Sequence, residues 1–198
     1  NNCYISAYGY GAAVTNATTF AMMDRLGIAQ YLSRIGLLID GNTGESLKAA
    51  KQSWMEDPVW QPLRKHCEDS FVVQDWFELF VAQNLVTDGL LYPLVYGRFA
   101  GELSQTGGAV VSMLTEFMDE WYAESVKWVD AFVKTAAAES PENKHLLSQW
   151  VRDGIASTTE ALTPLAKLMY LEDAQPALDE ARAALLARVA KTGLHVHT

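Results

Sequence analysis

The chain has 198 residues, 49% of them hydrophobic and 20% charged, and a net charge of -9. That length supports a single core without disulfide or metal staples, and the apolar content excludes a disordered chain. The acidic balance, with no clustered Lys/Arg face to neutralise phosphates, excludes nucleic acid and anionic membrane as partners.

Helical periodicity runs along the whole chain, and no stretch alternates as a strand pair would. From about Ala12 to Ile39, the residues Phe20, Ile28, Tyr31, Ile35 and Leu38 form one apolar stripe, and the segment DGNTG at 40–44 stops it. A shorter helix over 45–55 leads into Asp57-Pro58, a cap followed by a helix start. From Val59 the pattern stays helical to about Leu103, with Val72, Val73 and Gln74 marking a break or local widening and Gly107-Gly108 ending it. The next helix, 110–138, sets Leu114, Phe117, Trp121, Trp128 and Phe132 on one face and Glu116, Glu120, Lys127, Asp130 and Lys134 on the other. Ser140-Pro141-Glu142 opens a helix to about Leu171, with Leu146, Trp150, Ile155, Leu162 and Leu168 apolar and Pro164 a kink. A final short helix, 177–191, runs into the tail LHVHT, which is expected to fray.

Four of these helices span roughly 28 residues or more, about 40 Å at 1.5 Å per residue. Long antiparallel helices with short connections predict an all-α, ferritin-like bundle. We expect one domain over 1–198, with a core bundle at about 12–171 and the short C-terminal helix at 177–191. The run from Asp75 to Arg98 is apolar around its circumference yet carries Gln83, Asn84 and Asp88. Such a helix belongs at the centre of the bundle, with its polar side chains given specific partners. Asp88, Gly89, Pro93 and Arg98 interrupt it, so it is not a membrane span. The start has no basic n-region or apolar h-region of a leader and no Met, so the chain is expected to be the C-terminal part of a longer polypeptide. Two cysteines, Cys3 and Cys67, without a framework of spacings predict a reducing, cytoplasmic location.

A two-iron carboxylate site in such a bundle needs two Glu-x-x-His pairs and two further Glu, all facing inward. Glu142 and His145 form the one such pair, at a helix start where both are expected to face water. His66-Cys67 has no companion ligand at useful spacing and reads as a solvated His beside a packed Cys. His195 and His197 lie in the tail. Asp24 and Glu124 interrupt apolar stripes. Each reads either as a shifted acid for acid/base work or, with more weight, as a structural acid, neutralised by an Arg such as Arg25 or Arg34 near Asp24 or reaching a subunit surface. No Ser/His/Asp or Cys/His constellation is readable, and GYG at 9–11 lacks the setting of a phosphate cradle. Catalytic, cofactor-binding and metal-binding residues are therefore expected to be absent.

Gly89, Pro93, Gly97 and Gly101 recur every four residues and line one side of the central helix. Such a seam admits close approach of another backbone, either within the chain or at a subunit interface. Trp121 and Trp128, among six tryptophans and eight tyrosines, add to the candidate packing or interface residues.

The segments MDRLGIAQYLSRI (23–35), IDGNTG (39–44), WQPLRK (60–65), EDSFVVQDWFELFVAQNLVTDGLLYPLVY (68–96) and VSMLTEFMDEWYAESVKW (111–128) resemble the β subunit of the oxygenase component of bacterial multicomponent phenol hydroxylases. The resemblance runs from about Met22 to at least Trp150. It implies a di-iron monooxygenase in which α, β and γ subunits form a paired heterotrimer, the iron and the aromatic hydroxylation residing in α. Electrons would come from NADH through a reductase with FAD and an iron–sulfur centre, aided by a regulatory protein. The β subunit would be a non-catalytic, iron-free scaffold of the ferritin-like, ribonucleotide-reductase-like fold. Family members carry a long N-terminal stretch, including an arm around neighbouring subunits, ahead of the point where this chain starts. The rival readings are a stand-alone ferritin-like binding or metal-storage protein and an adaptor with an aromatic-ligand pocket.

Overall fold

The computed structural model describes residues 1–105 and 107–196. Eight helices are formed by these residues: α1 (Asn2–Tyr8), α2 (Ala12–Ile39), α3 (Glu45–Glu56), α4 (Gln61–Ser70), α5 (76–105), α6 (Ala109–Glu139), α7 (Pro141–Tyr170) and α8 (Ala174–Lys191). They make the all-α, long-helix bundle that the periodicity predicts.

Local chemistry sets the boundaries. The Asp40 carboxylate accepts from the backbone N–H of Thr43 (3.1 Å) and Ser46 (2.9 Å), while Gly41 and Gly44 take positive φ (66° and 79°), so the chain leaves α2 and enters α3 in one tight turn. Asp75 starts α5 by accepting from Phe77 N (2.7 Å) and Glu78 N (3.1 Å). Ser140 does the same for α7, accepting from Asn143 N at 3.0 Å, with Pro141 in the first turn. Pro164 lies inside α7 without ending it.

Helix α5 is the axis of the bundle. Its α-helical pieces, Trp76–Phe80, Asp88–Tyr92 and Ala100–Gln105, alternate with two wide π-helical segments, Val81–Thr87 and Pro93–Phe99. Around it pack α6, α7 and α8, with α1 against its first turn. The larger core joins Phe80, Leu85, Leu90 and Leu94 of α5 to Val133, Val151, Leu162 and Leu185 of the surrounding helices. A smaller one joins Ile28, Tyr92 and Met118.

The run from Val59 does break where Val72, Val73 and Gln74 mark it: residues 71–75 leave helical conformation, and Asp75 caps α5. Several expectations need correcting. Of the stripe on α2, Ile28 and Ile35 are buried as expected and Tyr31 is half-buried, but Phe20 and Leu38 stand in solvent and Ala21 is buried in addition. On α6 the buried face is Met118, Val129 and Val133, displaced by one residue from the aromatic face, which is only half-buried. On α7, Ile155 and Leu162 are buried as expected, whereas Leu146 and Leu168 are exposed and Leu147 and Val151 are buried. On α2 the small Ala21 enters the seam while the larger Phe20 beside it does not. The tail also departs from a frayed end: Leu194 is 1% exposed and belongs to the main core, and His195 N donates to Ser148 Oγ at 3.4 Å. His197 lies outside the described residues.

Candidate functional site

The middle of the bundle is polar, and the sequence places its acceptors on α5. Asp88 is 3% exposed, and its two carboxylate oxygens both receive the guanidinium of Arg25, which reaches across from α2. Gln83 Nε2 donates to Asp88 Oδ1 at 3.1 Å, and Arg25 Nη2 also donates to Asn84 Oδ1 at 3.3 Å. Asn84 Nδ2 in turn donates to the buried Asn2 Oδ1 at 2.9 Å, and Asn1 Nδ2 donates to Gln83 Oε1 at 2.6 Å. Arg25 and Gln83 thus bond the carboxylate directly, and Asn84, Asn2 and Asn1 extend the network from them. Burial works against the charge on Arg25, but Asp88 beside it outweighs that effect and raises its pKa above the ordinary value.

Aromatic rings cover this pair. Tyr92 stacks on Tyr122 (centroids 5.6 Å apart) and tilts against Trp121 (5.3 Å), and the Arg25 guanidinium lies 5.4 Å from the Trp121 ring. Burial drives the Tyr92 hydroxyl pKa far upward, with Asp88 adding to the effect, so the phenol stays neutral. A second Arg pair flanks the cluster. Arg188 Nε donates to Asp130 at 2.8 Å and its Nη1 to the Tyr122 hydroxyl at 3.0 Å.

Asp24 is not the buried acid. It stands exposed and accepts from Trp121 Nε1 at 3.0 Å, while Glu124 is exposed and paired with Lys127. Arg25 does form a structural ion pair, with Asp88 and not with Asp24. His66 is also not simply solvated: its Nε2 lies 3.1 Å from Thr87 Oγ1 and 3.3 Å from Thr158 Oγ1, and burial lowers its pKa, with Asp69 working the other way. Cys67 is half-buried next to it. A cavity of about 350 Å³ lies beside the network, with Trp54, His66, Cys67 and Tyr96 in its walls. Glu142 and His145 are both exposed.

The glycine positions differ among themselves. A Cβ on Gly89 would lie 2.7 Å from Leu185 Cδ1, so α5 and α8 meet closely there. At Gly97 the nearest such atom is Asp119 Oδ1 at 3.8 Å, and at Gly101 nothing lies within 4 Å. Pro93 begins the second π-helical segment and lines a groove between α5 and α8 with Gly97 and Arg98. Trp121 belongs to the aromatic cover, and Trp128 packs edge-on against Phe80 at 5.8 Å.

Sequence reasoning missed α1, Asn2 and Tyr170. The Tyr170 hydroxyl donates to the Leu94 carbonyl inside the second π-helical segment at 2.5 Å, and Arg98 covers its ring. Nothing in the local pattern around Tyr170 signals that bond, since its acceptor lies 76 residues away.

A two-metal centre of the ferritin-like kind does not fit the middle of this bundle. Both oxygens of the central carboxylate are taken by a guanidinium, and among the described residues no three His, Cys, Asp or Glu side chains converge as ligands.

The family described as Methane/Phenol/Alkene Hydroxylase matches residues 1–140. The oxygenase component DmpL of phenol 2-monooxygenase from Pseudomonas sp. (strain CF600) is 52% identical over 196 residues, covering 98% of this chain and 58% of that protein. The oxygenase component MhpL of phenol 2-monooxygenase from Acinetobacter pittii (strain PHEA-2) is 49% identical, covering 96% and 56%. Among solved structures, a chain of xenon-pressurised phenol hydroxylase from Pseudomonas sp. OX1 superposes with a TM-score of 0.94 at 45% identity, covering 99% of this chain and 59% of that one. The chain thus spans somewhat over half the length of these relatives.

Proposed function

Since the chain belongs to the methane/phenol/alkene hydroxylase family, we propose that it is part of the β subunit of a multicomponent phenol-type monooxygenase and acts there as a non-catalytic scaffold. Its partners in this reading are a di-iron α subunit, which hydroxylates phenol or a related aromatic, and a γ subunit, in a paired heterotrimer of the cytoplasm. NADH supplies electrons through an FAD and iron–sulfur reductase, and a small regulatory protein acts on the complex.

One observation carries the reading. Where a catalytic bundle of this class would turn carboxylates and histidines toward a metal, this chain holds the closed Arg25–Asp88–Asn84–Gln83 network under an aromatic cover. Both oxygens of Asp88 are taken up by Arg25, so this acid is held as a structural partner. The network joins α2 to α5 at mid-bundle, and the rings of Trp121 and Tyr122 bring α6 onto the same point. A bundle fastened in this way presents fixed outer helix faces, which is what a scaffold contributes to an obligate complex.

The test is reconstitution. The complete β subunit alone should bind no stoichiometric iron after washing and hydroxylate nothing, and its omission from an αβγ preparation should abolish NADH-coupled phenol oxidation and lower the soluble yield of α. An α subunit that is fully active and stable without β at working concentration would end the scaffold reading. So would two irons bound through side chains of this chain.

A further inference from the structure

The cavity beside the polar network lies between α2, α3, α4 and α5 and measures about 350 Å³. An apolar void of about 150 Å³ already takes up one benzene molecule, so this chamber has room for a substituted ring. Leu63, Leu91 and Tyr96 also line a second hollow, of about 470 Å³, whose other walls include Trp60, Phe99 and Met169. The approach from that side is apolar, which admits an uncharged molecule and penalises an ion.

The polar atoms of the chamber are unevenly provided for. Asp88 receives Arg25 and Gln83, Gln83 Oε1 receives Asn1 Nδ2, and His66 Nε2 is occupied by Thr87 and Thr158. Arg25 Nε, by contrast, is buried with no acceptor, and the hydroxyls of Tyr92 and Tyr96 make no hydrogen bond among the described residues. Burial raises the pKa of both hydroxyls, so both stay protonated and able to donate. What the chamber lacks is an acceptor, and a molecule that filled it without supplying one would leave buried donors unsatisfied. The charge of Arg25 is already met by Asp88, so a neutral oxygen suffices. A stretch of polypeptide fits these walls poorly, because it brings a backbone N–H with every C=O, and the oxygens of Asp88 and Gln83 are already taken. The rings of Trp54, Tyr92 and Tyr96 favour a flat occupant.

We propose that this chamber binds one small, uncharged aromatic molecule carrying an acceptor oxygen, with Arg25 Nε and the hydroxyls of Tyr92 and Tyr96 as the donors that receive it. The site goes beyond the scaffold reading above and does not depend on it.

The test is equilibrium dialysis of the full-length chain against acetophenone and against ethylbenzene, which is close to it in shape and lacks the carbonyl oxygen. Acetophenone should saturate at about one molecule per chain with a Kd near or below about 1 mM, and ethylbenzene should bind at least about tenfold more weakly. Leu91→Trp and Ala82→Leu, each of which adds side-chain volume to a wall, should each cut acetophenone binding at least about tenfold while the far-UV circular dichroism stays unchanged. Arg25→Lys keeps a cation for Asp88 and deletes Nε, so it should weaken acetophenone binding by about tenfold and leave ethylbenzene binding as it was. The comparison of the two probes on the wild-type chain decides even where a variant fails to fold. No saturable binding of acetophenone to that chain, as when residues beyond 1–198 fill the chamber, overturns the inference. Equal affinity for the two probes overturns it too, as does binding that survives both wall variants. None of these results touches the scaffold reading, whose own test is reconstitution.

Discussion

Arg25 and Asp88 stand 63 residues apart in sequence, yet the guanidinium of one closes on both carboxylate oxygens of the other. The acid side chain is 4% exposed and the base 28%. Whether such a pair stabilises the fold or only specifies it depends on what its removal leaves behind. Stripping away one partner strands a charge in a poor solvent, whereas removing both strands nothing.

Arg25→Met should therefore lower unfolding free energy by about 3 kcal/mol, the lower part of the range for a broken buried pair, because the guanidinium keeps some contact with water. Adding Asp88→Leu to that variant should recover most of the loss. Urea titrations of the four proteins in the cycle give the coupling directly. Simple additivity of the two losses would mean that the pair is not energetically linked.

Gly89 and Gly101 should respond in opposite directions to alanine. At Gly89 the new methyl meets Leu185 Cδ1 at 2.7 Å, so Leu185 must shift and stability should fall by about 1–3 kcal/mol. At Gly101 the space is open and the backbone helical, so the gain in helix propensity should raise stability by about 0.5–1 kcal/mol. Thermal midpoints that move in the same direction would contradict the difference in packing.

Tyr170→Phe removes the donor to the Leu94 carbonyl while keeping the ring. A buried acceptor left without that donor should cost about 1–3 kcal/mol in urea denaturation. Burial, with Glu102 contributing, pushes the Tyr170 hydroxyl up to about 12. In spectrophotometric titration the variant should lack one of the late-ionising tyrosines, and loss of an early one would be inconsistent with this assignment.

His66 should make the fold acid-sensitive. Its folded pKa lies below the ordinary value of 6.5, so the unfolded chain takes up the proton first as pH falls. Its contribution is complete above about pH 6.5 and declines as pH drops from there through the folded value. His66→Asn should flatten that part of the stability curve without moving its neutral plateau upward. A wild-type chain that gained stability between pH 6.5 and 5.5 on account of His66 would have the opposite sign.

The fold class was legible because length and period are local properties. The bounds of α2 and the need of Gln83, Asn84 and Asp88 for partners could both be read from the chain. Which apolar residues turn inward could not. Phe20 and Leu38 read as core because they are large and spaced at helical intervals, yet Ala21 occupies the seam where helices come close. The identity of the central acid is half legible: Arg25 pairs in sequence with its neighbour Asp24, whereas its partner in the fold, Asp88, lies on another helix. Bonds such as that between Tyr170 and Leu94 carry no local trace. The docking of the tail is illegible for the same reason, since only the tertiary fold gives Leu194 a core to enter.

The two π-helical segments of α5 have a consequence for how this chain can change. Adding or losing a residue in an α-helix turns everything beyond it by about 100°, since each residue advances the helix by 1/3.6 of a turn. Val81–Thr87 and Pro93–Phe99 already hold their backbone in wider turns, where an additional residue is accommodated as a local bulge. A single deletion there draws the turn back toward α-helical pitch while both flanks keep facing the same neighbours. The central helix thus contains two slack links, and insertions and deletions accepted in its descendants should concentrate in them while the rigid stretches between remain constant in length.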